Sequence, residues 1–246
     1  MTKLKPQKGM DNRRWFGHWS NEYDRTLGSI SYHRDLLDLV VKHCRIKEGQ
    51  RILDIGCGTG LLTLKLLAKK RGSVVGIDYL KQMLEIFTKK LLRLKLTDRV
   101  HLVRMDANAL TFERSTFDLA VSTVTLHHLK SKLPALKKIA GILKPGGLFI
   151  LGEVDMDTTG DHADIGRLKR LLKVLEEEWI WALKDAGVQA FSKLYDNGKK
   201  HILNQGEYCL SLEQWSGLCR KAGFQSVSIK RVAGHRAFGI VIAQKD

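Results

Sequence analysis

Apolar residues along the chain fall into short runs separated by longer amphipathic stretches. SYHRDLLDLVVKHC (31–44) is apolar at 36, 37, 40 and 41, the spacing of one helix face. RILDIG (51–56) reads as a short buried strand, and LLTLKLLAKK (61–70) follows it with helical character. SVVGID (73–78) predicts a second strand. LKQMLEIFTKKLLRLKL (80–96) places Leu80, Met83, Leu84, Phe87, Leu91 and Leu94 on one side of a helix. RVHLVRMDA (99–107) and FDLAVSTV (117–124) predict strands three and four. SKLPALKKIAGIL (131–143) predicts a helix, KPGG (144–147) its turn, and LFILGEVD (148–155) strand five. Strands buried on both faces and alternating with helices predict a parallel sheet covered by helices. Ligands of such sheets bind beyond the carboxyl ends of the strands.

After Asp155 the rhythm changes. DIGRLKRLLKVLEEEWIWALKDAG (164–187) is apolar at 165, 168, 172, 175, 179 and 183, a long amphipathic helix with no strand behind it. FSKLYDNGKKHILNQGEYC (191–209) reads as irregular. SLEQWSGLCRKAGF opens on a capping box, Ser211 to Gln214, and stops at Gly223. SVSIKRV and RAFGIVIAQ, joined through Ala233, Gly234 and His235, predict a hairpin on the sheet edge. Residues 1–30, with Trp15, Phe16, Trp19 and Tyr23, are polar, basic and poorly patterned. The expectation is one α/β domain with a doubly wound, seven-stranded sheet. The sheet is mostly parallel, with one antiparallel edge hairpin strand. An N-terminal arm (1–35) and a helical lid insertion after strand five (156–208) flank a core of 36–155 and 209–246.

Composition narrows the function classes. With 246 residues and 43% apolar content the chain can bury one sizeable core. No apolar run approaches the roughly 20 residues that cross a bilayer, and the basic N-terminus lacks a signal-peptide core. A soluble cytoplasmic protein with no membrane span is expected. Cys44, Cys57, Cys209 and Cys219 show no metal-ligand spacing and read as free thiols. The net charge of +16 suits an anionic partner such as RNA. The basic residues, however, are spread over predicted helices beside apolar ones, as on solvated faces. A nucleic-acid partner is therefore possible but not favoured, and a small-molecule substrate is preferred. The oligomeric state cannot be read from the sequence.

The stretch RILDIGCGTG (51–60) carries the candidate chemistry. A P-loop would need Lys-Ser/Thr after the last glycine, where Leu61 and Leu62 stand. A strict GxGxxG loop also fails, since the sixth position is Leu61 or Thr63. What remains is Asp54, Gly56, Gly58 and Gly60 in D-x-G-x-G-x-G. Asp78 ends strand two, eighteen residues beyond Gly60, where a carboxylate can accept ribose hydroxyls. Asp106 ends strand three, and FDLAVSTVTLHHL, LKKIAGILKPGGLFIL and the capped last helix with its hairpin follow in order. This ordered set resembles the class I, Rossmann-like S-adenosylmethionine-dependent methyltransferases. NEYDR (21–25), HHL and LKPGG resemble their small-molecule branch of ubiquinone/menaquinone-biosynthesis type. The resemblance implies S-adenosyl-L-methionine as cofactor. It implies that Asp54, Gly56, Cys57, Gly58 and Gly60 form the loop beside the methionine part, that Asp78 meets the ribose and that Tyr79 belongs to the cofactor set. Asp106 and Ala107 then meet the adenine, and Thr123 and Tyr23 complete the cofactor set. Residues 164–187 depart from the branch pattern, which leaves the substrate open.

Transfer from a sulfonium is an in-line displacement that depends on positioning. A base is needed only where the nucleophile carries a proton. STVT after strand four lacks the prolines of amino-group methylation on adenine, no cysteine is placed for pyrimidine C5 methylation, and no glutamate pair suits arginine methylation. His127 is the candidate base and His128 a candidate substrate contact, both just after strand four. Glu153 and Asp155, at the end of strand five, can hold a polar substrate or a metal; no metal site is otherwise expected. Tyr23 and His18 belong to the arm that covers the cofactor in similar enzymes. Trp179 fits the apolar stripe of the long helix, and Trp181, off that stripe, is the candidate pocket residue. Methylation of RNA or protein, and a catalytically silent cofactor-binding protein, are the competing readings.

Overall fold

The computed structural model describes residues 12–69, 72–203 and 205–246, with the side chains of 12–18, Asn21 and Lys69 outside the description. The strands are β1 Arg51–Ile55, β2 Ser73–Asp78, β3 Val100–Arg104, β4 Phe117–Thr123, β5 Leu143–Val154, β6 Ser226–Val232 and β7 His235–Gln244. They form one sheet in the order β3-β2-β1-β4-β5-β7-β6. Neighbours from β3 to β5 pair in parallel, and β7 runs antiparallel to both β5 and β6. The strand order turns back between β1 and β4, so a crevice opens there at the carboxyl ends.

The helices are α1 Asn12–Leu27, α2 Ser31–His43, α3 Leu61–Lys69, α4 Lys81–Leu94, α5 Leu133–Ile142, α6 Ile165–Leu203 and α7 Leu212–Lys221. Successive strand residues point to opposite faces. Ile52 and Val74 pack with α2, α3, α4 and α6, while Leu53, Ile55, Val75 and Ile77 pack with α5 and α7. Burial on both faces is why these strands read as unbroken apolar runs. The capping box of α7 forms as the sequence implies, Ser211 accepting from Gln214 N and Gln214 from Ser211 N.

The local departures have physical causes. Residues 12–27 are helical although weakly patterned, and Trp19 is buried while Tyr23 packs edge-on against it. KPGG lies within the span of β5, bulged out of its pairing with β4, and Gly146 there has φ +72°. Leu94 is exposed because the left-handed Lys95 ends α4 and turns the chain away. In α6, Gly187 (φ 77°, ψ −175°) divides the helix into two arms. The second arm covers most of the stretch expected to be irregular. Its buried face, Ala190, Leu194, Gly198 and His201, is too poor in large apolar residues to show as periodicity. On the first arm the buried positions are Arg167, Leu171, Leu175 and Ala182, whereas Ile165, Leu172 and Leu183 of the expected stripe face outward. Arg167 explains the shift. Its guanidinium donates to the carbonyls of Thr158 and Ile202, which pulls a charged residue inward.

Candidate active site

The loop after β1 is fixed by its own backbone. Gly56 N and Cys57 N donate to Ile77 O at 2.8 and 2.9 Å, which binds the loop to the end of β2. All three loop glycines have positive φ, a region that glycine alone enters without strain. A Cβ on Gly56 would stand 2.2 Å from Thr125, and one on Gly60 2.2 Å from Phe87. A Cβ on Gly58 would meet nothing within 4 Å, so Gly58 leaves open space above the loop. That space belongs to a cavity of about 630 Å³ at the carboxyl ends of the strands. This is within the usual size of small-molecule sites.

From the loops after β1, β2 and β3, the cavity is lined by Gly56, Gly58, Asp78, Tyr79, Asp106 and Ala107. The Asp78 carboxylate accepts from Gly58 N at 2.9 Å and Leu80 N at 2.8 Å, and burial raises its pKa. Tyr79 N adds a third backbone bond, and a carboxylate offers about four lone-pair sites, which leaves room for a ligand hydroxyl. Asp106 accepts from Asn108 N at 2.8 Å, which pins the 3₁₀ turn Ala107–Ala109 at the cavity wall. Tyr23 of α1 reaches the same cavity, and burial pushes its hydroxyl pKa up. Asp24, one residue on, takes the Thr59 hydroxyl and the Lys90 ammonium, which fastens α1 over the glycine loop. These residues fit an adenosyl group carrying an amino-acid tail.

From the loops after β4 and α6, the cavity is lined by His128, Leu129, Lys130, Gln205, Gly206 and Tyr208. Two segments far apart in sequence meet there, joined where Tyr208 N donates to His127 O at 2.8 Å. Behind this wall lies a buried polar cluster. His127 Nδ1 is 2.8 Å from Glu153 Oε2, and Glu153 Oε1 also accepts from the backbone N–H groups of Thr125 and His127. His127 Nε2 is 3.0 Å from Glu207 Oε2. Burial opposes a charge on His127, but the carboxylates of Glu153 and Glu207 outweigh it and raise the pKa to about 10. Burial holds His128 down to about 4, so its imidazole is neutral at pH 7.

A demethylmenaquinone methyltransferase of Staphylococcus haemolyticus is 34% identical over 232 residues, 89% of this chain and 87% of that protein. The chain belongs to the class I S-adenosylmethionine-dependent methyltransferases. A family described as a methyltransferase domain matches residues 52–147 of it. A solved methyltransferase of Thermotoga maritima, titled a possible histamine N-methyltransferase, is 24% identical with a TM-score of 0.62, covering 94% of this chain and 98% of that one. A Haemonchus contortus phosphoethanolamine N-methyltransferase, solved with S-adenosylhomocysteine, has a TM-score of 0.67 at 18% identity, covering 97% of this chain and 61% of that one. These structures share the fold, and S-adenosyl-L-methionine is the cofactor of the family.

Within this methyltransferase the residues singled out from sequence separate into wall and support. Tyr23, Gly56, Gly58, Asp78, Tyr79, Asp106, Ala107 and His128 line the cavity. Asp54, Cys57, Gly60, Thr123, His127 and Glu153 stand outside that lining. Asp54 is buried under the loop, accepting from the Thr63 hydroxyl at 2.5 Å. Trp181 packs edge-on against His235, with ring centroids 4.6 Å apart, and is not among the lining residues. Trp179 donates to Leu194 O and packs between the arms of α6. Asp155 holds Leu212 N and Arg231. The side chain of His18 is outside those described. The sequence reading passed over Val124, Thr125, Gln205, Gly206 and Tyr208. The signal that could have found the last three is the polar Gln-Gly step just ahead of the capping box, since loops beside a sheet edge carry function.

Proposed function

We propose that the enzyme methylates a small aromatic, hydroxyl-bearing molecule of quinol type, with the acceptor seated at the His128–Tyr208 end of the cavity. The carrying observation is the lining of the cavity. The loops after β1, β2 and β3 bring acidic and glycine residues that suit the cofactor, and the loops after β4 and α6 bring Leu129 and Tyr208 for a ring and His128 for a hydroxyl. When bound, the cofactor supplies a methyl group already activated on a sulfonium. Asp78 holds the ribose hydroxyls, while Asp106 and Ala107 N hold the adenine edge. Tyr23 and the Asp24 clamp close the methionine end and keep water out. In-line placement then supplies several kcal/mol of the barrier reduction. Ionising a ring hydroxyl makes the neighbouring ring carbon nucleophilic, and His128 is the polar side chain that meets it. The relative's name gives a quinone, the two-electron oxidised form of such a ring. Lys130 is the single lysine or arginine among the described lining residues, which favours a small acceptor over a polyanion.

The test is incubation with S-adenosylmethionine and a demethylated naphthoquinone, oxidised or reduced, followed by mass spectrometry. One added methyl on the reduced ring is expected. Methylation of RNA or protein with the quinol untouched would overturn the reading.

A further inference from the structure

The cluster behind the acceptor end has a geometry that charge pairing alone does not account for. Glu207 is wholly buried, and of its two carboxylate oxygens Oε1 has no hydrogen-bond partner among the described residues. Three imidazole nitrogens crowd one of those oxygens, His127 Nε2 at 3.0 Å, His128 Nδ1 at 3.5 Å and His201 Nδ1 at 3.8 Å. The candidate donor atoms of His127, His128 and Glu207 all lie within 4.8 Å of one another. Donor atoms about 2.0–2.2 Å from a tetrahedral zinc-type ion stand about 3.3–3.6 Å apart. The observed separations bracket that spacing.

We propose that His127, His128 and Glu207, with His201 beside them, form a binding site for one divalent cation of zinc type. Three features support it beyond the spacing of the ligand atoms. First, Glu153 holds His127 Nδ1 at 2.8 Å and is itself fixed by two backbone N–H groups. This is the carboxylate–histidine arrangement that orients a metal-bound imidazole. Second, Glu153 and Glu207 are both wholly buried carboxylates, and a doubly charged ion neutralises the pair. Third, imidazole nitrogens with one carboxylate suit zinc-type ions better than magnesium or calcium, which prefer all-oxygen shells. The ion would join the loop after β4 to the loop after α6. His128 and Gly206 both line the cavity, so the ion would fix the acceptor end of the site.

The test uses the full chain, stripped with a chelator and titrated with Co²⁺, followed by calorimetry and visible absorption. One ion per chain is expected, with the strong visible bands of four-coordinate Co²⁺. Glu207→Gln and His128→Gln each lower the affinity at least tenfold. Glu153→Gln, which alters the orienting carboxylate and no ligand atom, lowers it about 10- to 100-fold. His162→Gln, at an exposed histidine, leaves it unchanged. Binding of the demethylated cofactor by each protein reports an intact fold and is read separately from methyl transfer. Absence of stoichiometric Co²⁺ binding by wild-type chain that still binds the demethylated cofactor overturns the proposal. So does unchanged affinity in Glu207→Gln. Either result leaves His127 a buried imidazolium between two carboxylates.

Discussion

Gly58 is the loop glycine whose missing side chain faces open space, while those of Gly56 and Gly60 face Thr125 and Phe87. The three positions therefore answer differently to alanine. Gly58→Ala places a methyl in the cavity at φ +53°, a left-handed strain of about 1–2 kcal/mol. It is expected to weaken binding of the demethylated cofactor at least tenfold, read by calorimetry, and to lower stability modestly. Gly56→Ala and Gly60→Ala add a steric collision to the strain and are expected to lower the urea midpoint further than Gly58→Ala. A midpoint lowered most by Gly58→Ala would contradict this assignment. At Asp78 the removal of a carboxylate leaves Gly58 N and Leu80 N without their acceptor as well as the ribose. Asp78→Ala is expected to cost about 1–3 kcal/mol of cofactor affinity. These residues were legible because their spacing follows the strands. Thr125 was not, because its role is to fill the space beside a glycine, and no pattern in a sequence marks that.

Helix α6 shows where reading by element stops. Apolar spacing located its first arm, since a one-sided stripe needs only local geometry. It placed Leu175 and Trp179 inward correctly and Ile165, Leu172 and Leu183 wrongly, because buried Arg167 satisfies carbonyls that are brought near only by the tertiary fold. The second arm was missed because Gly187 breaks the phase and Gly198 contributes no side chain to the pattern. Gly198 is nevertheless a packing residue. A Cβ there would stand 2.8 Å from the Trp179 ring and 3.2 Å from Leu175, so the two arms touch through the missing side chain. Gly198→Val is expected to overpack this contact and cost about 1–3 kcal/mol. Urea unfolding followed by tryptophan fluorescence measures it, and a variant as stable as wild type would show that the arms do not pack this way. The same variant tests whether α6 orders the 205–208 loop. If so, turnover falls while affinity for the demethylated cofactor is kept.

At the scale of the molecule, the alternation of strands and helices carried the sheet, because each strand needs apolar residues on both faces and each helix on one. The covering of the site by α1 and by the segment after α6 was far less legible, since polar contacts fasten both. Asp24 holds Thr59 and Lys90, Glu22 meets Lys193, and Asp185 caps Ser31 N at 2.7 Å. Hydropathy does not report such contacts. One buried charge couples the core to pH. Asp54 lies 1% exposed beneath the glycine loop, and burial raises its pKa to about 7, partly offset by the Thr63 hydroxyl. In the unfolded chain the same carboxyl ionises near about 4. Between these values the folded state holds a proton that the unfolded state has lost. The contribution of Asp54 to stability is then fully present below about pH 4 and is lost as the pH rises through about 7. Asp54→Asn removes the ionisation and keeps the shape. Its unfolding free energy is expected to fall less than that of the wild type between pH 5.5 and pH 8. Equal slopes in urea titrations at the two pH values would mean that Asp54 is ionised in the fold, with a counter-charge beneath the loop.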